Sequence, residues 1–169
     1  MARPNREDYS GFNETYVSLV PEENIIQALY ESVKSTDEFL NSIPKEKYNY
    51  SYGPGKWTIK QMLQHVIDAE RVFSYRALCV ARGEKQNLPG FDENVYAAAA
   101  DAKQREFSDL VDEFKTVRKS NIMMFEKFTP EMMNAKGLAN NNSISANALA
   151  YIIVGHWRHH QRILKERYL

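Results

Sequence analysis

The chain has 169 residues, of which 43% are hydrophobic and 26% are charged, values typical of one globular domain that buries a core without disulfides. Its formal net charge of +0 disfavours attraction to nucleic acid or to an anionic membrane surface. We therefore predict a single domain over residues 1–169. The lone cysteine, Cys79, the polar start and the lack of a long apolar run predict a cytoplasmic protein without a signal peptide or membrane span.

Apolar residues at helical spacing predict two long helices in the first half of the chain. A short N-terminal arm, residues 1–20, precedes the first helix. Pro21 favours a helix over roughly 21–42, because the missing proline N–H has no cost in a first turn. Thr58, with a glutamine three residues later, forms a capping-box pattern that begins the second helix, which extends to about Arg82.

The second half predicts two more long helices. Asp92 is the expected N-cap of a short helix, and the helical pattern then returns over about 101–127. Residues 134–142 are rich in glycine and asparagine and are predicted to form a loop. The fourth helix begins near Ser143 or Ser145 and continues to the end of the chain. No convincing strand is predicted, so the fold class is all-α, a four-helix bundle.

The four histidines are confined to two of these helices. His156 and His160 are four residues apart, so they lie on one face of the fourth helix, and that face is apolar. His65 lies at the edge of the apolar face of the second helix and can reach the same point across the bundle. Three imidazoles with open coordination positions are typical of a catalytic metal site. His159 is off this row and is expected beside the ligands or at the surface.

Two other interpretations remain open on these residues alone. The imidazoles could be hydrogen-bonded core residues with no metal between them. Alternatively, the bundle could bind a metal without catalysis and act as a sensor or a dimeric interaction module. Imidazole suits several transition metals, and we expect Zn²⁺ or Ni²⁺.

Acidic residues that follow His65 are further candidates. Asp68, three residues later, could orient an imidazole or act as a catalytic base. The alternative for Asp68 is a salt bridge with Arg71 or Arg76. For Glu70 the salt bridge with one of these arginines is the preferred interpretation.

Three stretches then point to a known family. Lys56–Arg71, Ala81–Glu84 with Leu88–Glu93, and Gly155–Leu164 resemble, in the same order, the second-helix motif, the following connection and the C-terminal histidine motif of the DinB-like (DinB/YfiT-type) superfamily. In that family one histidine of the second helix and the outer two of His-x-x-x-His bind a divalent metal. The resemblance therefore implies the same three ligands that helical spacing selects.

The resemblance also implies an up-down-down-up bundle and frequent formation of homodimers. Family members resemble metal-dependent hydrolases or are thiol S-transferases or isomerases that use low-molecular-weight thiols such as bacillithiol or mycothiol. We therefore expect a metal-dependent enzyme acting on a small molecule, either a hydrolase or a thiol S-transferase, with neither nucleic acid nor membrane as a partner.

Overall fold

The computed structural model describes residues 2–169 and is mostly helical. In chain order its helices and strands are α1 (Glu14–Val17), α2 (Ile25–Asn41), α3 (Ile59–Ala81), β1 (Asn87–Leu88), α4 (Glu93–Ala99), α5 (Phe107–Phe125), α6 (Pro130–Asn134), β2 (Lys136–Ala139), β3 (Asn142–Ser145) and α7 (Ala146–Arg167). The four long helices α2, α3, α5 and α7 form the predicted bundle, so the all-α class is confirmed.

Capping side chains decide where these helices begin. Thr58 Oγ1 accepts a hydrogen bond from the Gln61 backbone N–H, and Gln61 Oε1 accepts one from the Thr58 backbone N–H, which is the predicted capping box. The Asp92 carboxylate caps α4 as predicted. The first long helix begins later than predicted. Pro21 lies before it rather than in its first turn, and the Asn24 side chain caps the backbone N–H groups of Ile26 and Gln27, which leaves Ile25 as the first helical residue.

The contacts between α3 and α5 show that these two helices are parallel. Near the start of both helices Arg105 donates a hydrogen bond to Gln64 Oε1 at 2.7 Å. Further along both, Arg118 donates to the Glu70 carboxylate at 2.7 and 2.8 Å. Residue numbers therefore rise in the same direction along both helices. Two consecutive long helices that are parallel require a long connection between them.

Along α2 and α5, the numbers of contacting residues run in opposite directions. Tyr30 donates a hydrogen bond to Glu126, whereas Asp37, later in α2, accepts one from Lys115, earlier in α5. These two helices are therefore antiparallel.

Helices α3 and α7 are antiparallel as well. Tyr168, after α7, donates to the Trp57 carbonyl oxygen before α3, and His65, further along α3, faces His156, earlier in α7. Taken with the other two pairs, the order of directions is up-down-down-up.

The buried side chains form two clusters that meet along α7. The first surrounds the apolar start of α7, and the second surrounds Trp157 and Leu164. His156 and His160 occur along α7 where one cluster gives way to the other. None of the helices in residues 2–169 combines the length and the apolar character that crossing a membrane requires.

A small sheet covers the C-terminal end of α3, where a loop was predicted. Strand β1 pairs in parallel with β2, which pairs antiparallel with β3. Asn140 and Asn141 connect β2 to β3 with φ angles of 49° and 62°, as in a type I′ hairpin turn. The prediction of a loop over 134–142 is wrong, because these asparagines form a tight turn between two strands of four residues.

Candidate metal centre

Three imidazoles converge where α3 faces α7. His156 Nε2 lies 3.2 Å from His65 Nε2 and 3.1 Å from His160 Nε2, and the three side chains each offer a ligand atom within 4.8 Å of the others. All three residues are buried. The structure thus brings together the three histidines that the sequence selects.

Burial keeps these imidazoles neutral. It lowers the pKa of His65 to about 4, although the carboxylate of Glu93 raises that pKa in part. Burial also holds the pKa values of His156 and His160 well below the ordinary value, and the neighbouring histidines lower them further. The neutral imidazole is the form that binds a metal, so protons do not compete for these nitrogens near neutral pH.

The donor set fits a divalent cation. A neutral Nε2 atom carries either one proton or one lone pair, so the Nε2 of His156 cannot make good hydrogen bonds with His65 and His160 together. A cation would accept the three lone pairs at once. At a zinc–nitrogen distance of 2.0–2.1 Å, two ligands of a tetrahedral ion lie roughly 3.3 Å apart, close to the spacing of the two short nitrogen pairs.

The N-terminal segment covers one side of the centre. Its carbonyl at Tyr16 approaches α7 at Gly155, where a Cβ atom would lie 2.0 Å from the Tyr16 oxygen. The Tyr16 ring then packs edge-on against His156, with ring centroids 5.2 Å apart. Sequence reasoning treats this segment as an arm and misses Tyr16. The glycine that interrupts an apolar helical stretch directly before His156 is the signal that could have indicated close backbone approach.

Asp68 does not join the three histidines. Gln64 Nε2 donates to Asp68 Oδ1 at 2.9 Å, and Asp68 lines a separate surface cavity with Arg71 and the end of α4. Burial raises the pKa of Asp68, and the Gln64 hydrogen bond and Arg71 lower it in part. The buried Nδ1 atom of His160 has no hydrogen-bond partner within residues 2–169, so Asp68 does not orient that ring.

The predicted salt bridge of Glu70 exists, but its partner is different. The Glu70 carboxylate pairs with Arg118 of α5 rather than with Arg71 or Arg76, and Asn121 donates a third hydrogen bond to it. Glu70 is buried against α5, whereas Arg71 is exposed. The sequence does not show which face of α3 packs against α5. The predicted partners of Glu70 were therefore arginines of α3 itself.

A cavity of about 450 Å³ opens onto the histidines. The N-terminal segment, α3, the start of α4, the β2–β3 hairpin and α7 all contribute to its wall. Its lining residues include Ser10, Phe12, Asn13, Tyr16, Trp57, His65, Ala69, Phe73, Arg76, Phe91, Glu93, Asn140, Asn142, Ile144, His156, His159 and His160. The cavity is large enough for a small organic molecule.

Two charged residues in this lining were not selected from the sequence for the site. Among the lining residues of 2–169, Glu93 carries the only carboxylate and Arg76 the only guanidinium. Asp92 caps α4, and this places the next residue, Glu93, at the cavity. Its charge raises the pKa of Tyr16, which burial raises more strongly.

Comparison with known proteins places these features in a family. The model of the DinB superfamily matches residues 28–164. A curated relative from Oceanobacillus iheyensis, named "Putative metal-dependent hydrolase", is 27% identical over 89 residues, which are 48% of this chain and 51% of the relative. The chain thus matches about half the length of that relative.

Solved structures with the same fold include YfiT from Bacillus subtilis, described as a probable metal-dependent hydrolase with an unusual four-helix bundle topology. It superposes with a TM-score of 0.74 and 16% identity over 98% of this chain and 91% of YfiT. A mycothiol-dependent maleylpyruvate isomerase superposes with a TM-score of 0.69 and 11% identity over 86% of this chain and 61% of the isomerase chain. The DinB-like YjoA of Bacillus subtilis superposes with a TM-score of 0.58 and 18% identity over 83% of this chain and 86% of YjoA.

Proposed function

This chain belongs to the DinB superfamily, and from that premise we propose that it is a divalent-metal-dependent hydrolase of a small molecule. The observation that carries the proposal is the convergence of three buried, neutral imidazoles at a cavity of about 450 Å³. The names of the Oceanobacillus relative and of the YfiT structure, both metal-dependent hydrolases by description, support the choice of reaction.

His65, His156 and His160 would hold the ion through their Nε2 atoms. Neutral imidazoles suit zinc and nickel, and the set contains neither a carboxylate nor a thiolate. Bound by these three ligands, a divalent ion would supply Lewis-acid chemistry and would make a nucleophile available near neutral pH.

Aromatic side chains shape the surroundings of these ligands. The Trp57 ring lies 4.8 Å from the His65 ring, and Tyr16 and Phe73 contact the His156 ring edge-on. These rings hold the two imidazoles in place and exclude water from their flanks. The substrate therefore reaches the histidines through the cavity.

Glu93 is the candidate proton acceptor. It is exposed and lines the cavity, and its charge acts on His65, whereas Asp68 lies outside. A carboxylate at the mouth can take a proton from the attacking group and return it to the leaving group, which is general acid–base catalysis. We therefore propose Glu93 for the role that the sequence suggested for Asp68.

Hydrolysis of a panel of carboxylic esters and amides, with Zn²⁺ or Ni²⁺ added, tests the proposal. We expect turnover that disappears in His65→Ala and falls by about 10²–10⁴-fold in Glu93→Gln. Asp68→Asn should change the rate far less, and Cys79→Ser, which removes a thiol remote from the cavity, is the matched control. Turnover that survives in His65→Ala would contradict the proposal.

A second arm of the same assay adds bacillithiol or mycothiol with an electrophile. The open positions of a three-histidine centre can also accept a thiolate, and thiol transfer is the other activity that the family resemblance implies. Turnover that occurs only when a thiol is present would show that the hydrolase assignment is wrong and would support a thiol S-transferase. Stoichiometric metal without either activity would support a non-catalytic sensor.

A further inference from the structure

Arg76 is a buried cation without an anionic partner. Only 8% of its surface is exposed, yet no carboxylate of residues 2–169 lies within 4.0 Å of its guanidinium. The one hydrogen bond of its side chain within those residues goes from Nη2 to the Pro89 carbonyl oxygen at 2.6 Å. A buried charge is normally paired, because leaving it unpaired is costly.

Three other buried or half-buried arginines are paired with carboxylates. Arg118 is fully buried and binds Glu70, Arg158 binds Glu22, and Arg105 binds Glu113. Of the two arginines that are buried within residues 2–169, Arg118 therefore has a carboxylate partner and Arg76 has none. The half-buried Arg3 also lacks a carboxylate, but it donates to two backbone oxygens, those of Val17 and Val20. Burial lowers the pKa of Arg76, which agrees with a charge that lacks compensation.

Arg76 lines the same cavity as the three histidines. From α3, the cavity wall is formed by His65, Ala69, Phe73 and Arg76, whose spacing of four, four and three residues keeps them on one helical face. The Cα atoms of His65 and Arg76 are separated by roughly 16 Å along the helix.

The hairpin adds neutral donors near this arginine. Asn140 and Asn142 line the cavity, and the Asn140 side chain packs so closely over Gly90 that a Cβ there would lie 2.7 Å from its Oδ1. Asn142 Nδ2 donates to the Asn140 carbonyl oxygen at 2.7 Å. The Pro89 carbonyl, which holds Arg76, lies directly before Gly90. Guanidinium and amide groups are therefore held together at the end of the cavity away from the histidines.

We propose that Arg76 is the anion subsite of this cavity, and that the ligand which occupies it carries a carboxylate. A carboxylate matches the planar guanidinium, which can bind it through two parallel hydrogen bonds. A phosphate dianion fits less well, because Arg76 is the only guanidinium in the cavity lining within residues 2–169 and no lysine lines it. This inference rests on the proposed hydrolase function. The carboxylate then belongs to a part of the substrate remote from the bond that is cleaved, because Arg76 lies roughly 16 Å along α3 from His65.

Binding of benzoate to the full-length protein, measured by ¹⁵N NMR titration and ligand-observed saturation transfer, tests the subsite. We expect benzoate to shift the Arg76 side-chain Nε–H and the Gly90 amide, and we expect benzamide to bind at least about tenfold more weakly, since it lacks the charge. Phenyl phosphate should also bind more weakly than benzoate. Shifts that cluster elsewhere, or equal binding of benzamide, would overturn the proposal, and tighter binding of phenyl phosphate would overturn the carboxylate assignment.

Variants complete this test. Arg76→Gln should weaken benzoate binding by at least about tenfold, and Arg76→Lys, which keeps the charge but loses the bidentate geometry, should bind with intermediate affinity. Arg71→Gln is the matched control, because Arg71 is exposed, is paired with Glu113 and lies outside the histidine cavity. Unchanged binding in Arg76→Gln would overturn the proposal.

The titration is repeated after treatment with a chelator, and binding should persist. Absence of metal from the purified protein would remove the proposed enzyme function and leave this result intact. Loss of benzoate binding on chelation would place benzoate on the metal and would contradict the subsite at Arg76. The wild-type shifts at Arg76 and Gly90 do not depend on any variant folding.

Discussion

His65, His156 and His160 are neutral because they are buried together, and not because a single partner holds a proton away from them. Burial is the main cause of the lowered pKa in each case, and the mutual repulsion of charged imidazoles adds to it at His156 and His160. Each residue alone is an ordinary core histidine. A divalent ion, as proposed, would relieve the conflict among their converging nitrogens and would account for their close approach in an apolar interior.

The same burial predicts how the stability of the metal-free protein depends on pH. Because the folded-state pKa of His65 is lowered from 6.5 to about 4, the unfolded chain takes up its proton first. The contribution of His65 to the free energy of unfolding is therefore complete above pH 6.5 and is lost as the pH falls towards 4, by up to about 1.4 kcal/mol per pH unit. Urea unfolding of the chelated protein between pH 7.5 and 5 measures this slope.

His65→Gln is the control for that slope. It removes one titrating group. The slope of the unfolding free energy against pH between pH 6.5 and 5 should therefore decrease by up to the contribution of one bound proton. An unfolding free energy that stays constant or rises as the wild-type protein is acidified over this range would contradict the burial of neutral imidazoles.

At the scale of the elements, Gly155 controls the contact between α7 and the N-terminal segment. Alanine is intrinsically better than glycine in a helix by about 1 kcal/mol, but its Cβ would lie 2.0 Å from the Tyr16 carbonyl oxygen. The rigid backbone would have to move, so we expect Gly155→Ala to destabilise the protein by about 1–3 kcal/mol. Chemical denaturation measures the change, and unaltered or increased stability would show that the close approach is absent.

Gly53→Ala serves as the matched control for this substitution. A Cβ at Gly53 would have its nearest neighbour at 3.9 Å, an ordinary contact with the flexible side chain of Lys56. Its effect on the free energy of unfolding should stay within about 0.5 kcal/mol.

The parallel pairing of α3 with α5 depends on a buried ion pair. Arg118 is fully buried and binds the Glu70 carboxylate through Nε and Nη2, while its Nη1 donates to Ser32 Oγ. Arg118→Met removes one charge and leaves the other without compensation, so we expect a loss of about 3–5 kcal/mol in denaturant unfolding. Lys115→Met, which removes the half-exposed pair with Asp37, should lower the free energy of unfolding far less, because water screens that pair. Equal effects of the two substitutions would contradict this difference.

Local signals predicted the long helices well and the hairpin badly. Capping residues and apolar periodicity act within a few residues, so Thr58 and Asp92 marked helix starts correctly. Each strand of the hairpin has only four residues, too few to show alternation. Asn140–Asn141 is a type I′ turn signal, yet without clear strands on either side it resembles a loop.

At the scale of the whole molecule, the cavity depends on the tertiary arrangement. The two histidines of α7 could be selected from their spacing, because four residues in a helix bring side chains to one face. Tyr16, Arg76 and Glu93 belong to segments whose position depends on packing, so the sequence did not indicate that they line the cavity. Sequence proximity to His65 selected Asp68, which lines a separate surface cavity. The predicted homodimer remains a prediction.

The antiparallel pairing of α3 with α7 brings His65 beside His156 and His160, and we predict that these three residues bind a metal ion. Elemental analysis of the purified protein by plasma mass spectrometry, with His65→Ala and His156→Ala measured in parallel, tests it most directly. We expect about one Zn²⁺ or Ni²⁺ per chain, lost in both variants and retained in Cys79→Ser. A metal content that stays clearly substoichiometric after Zn²⁺ or Ni²⁺ is added would contradict the proposed metal centre.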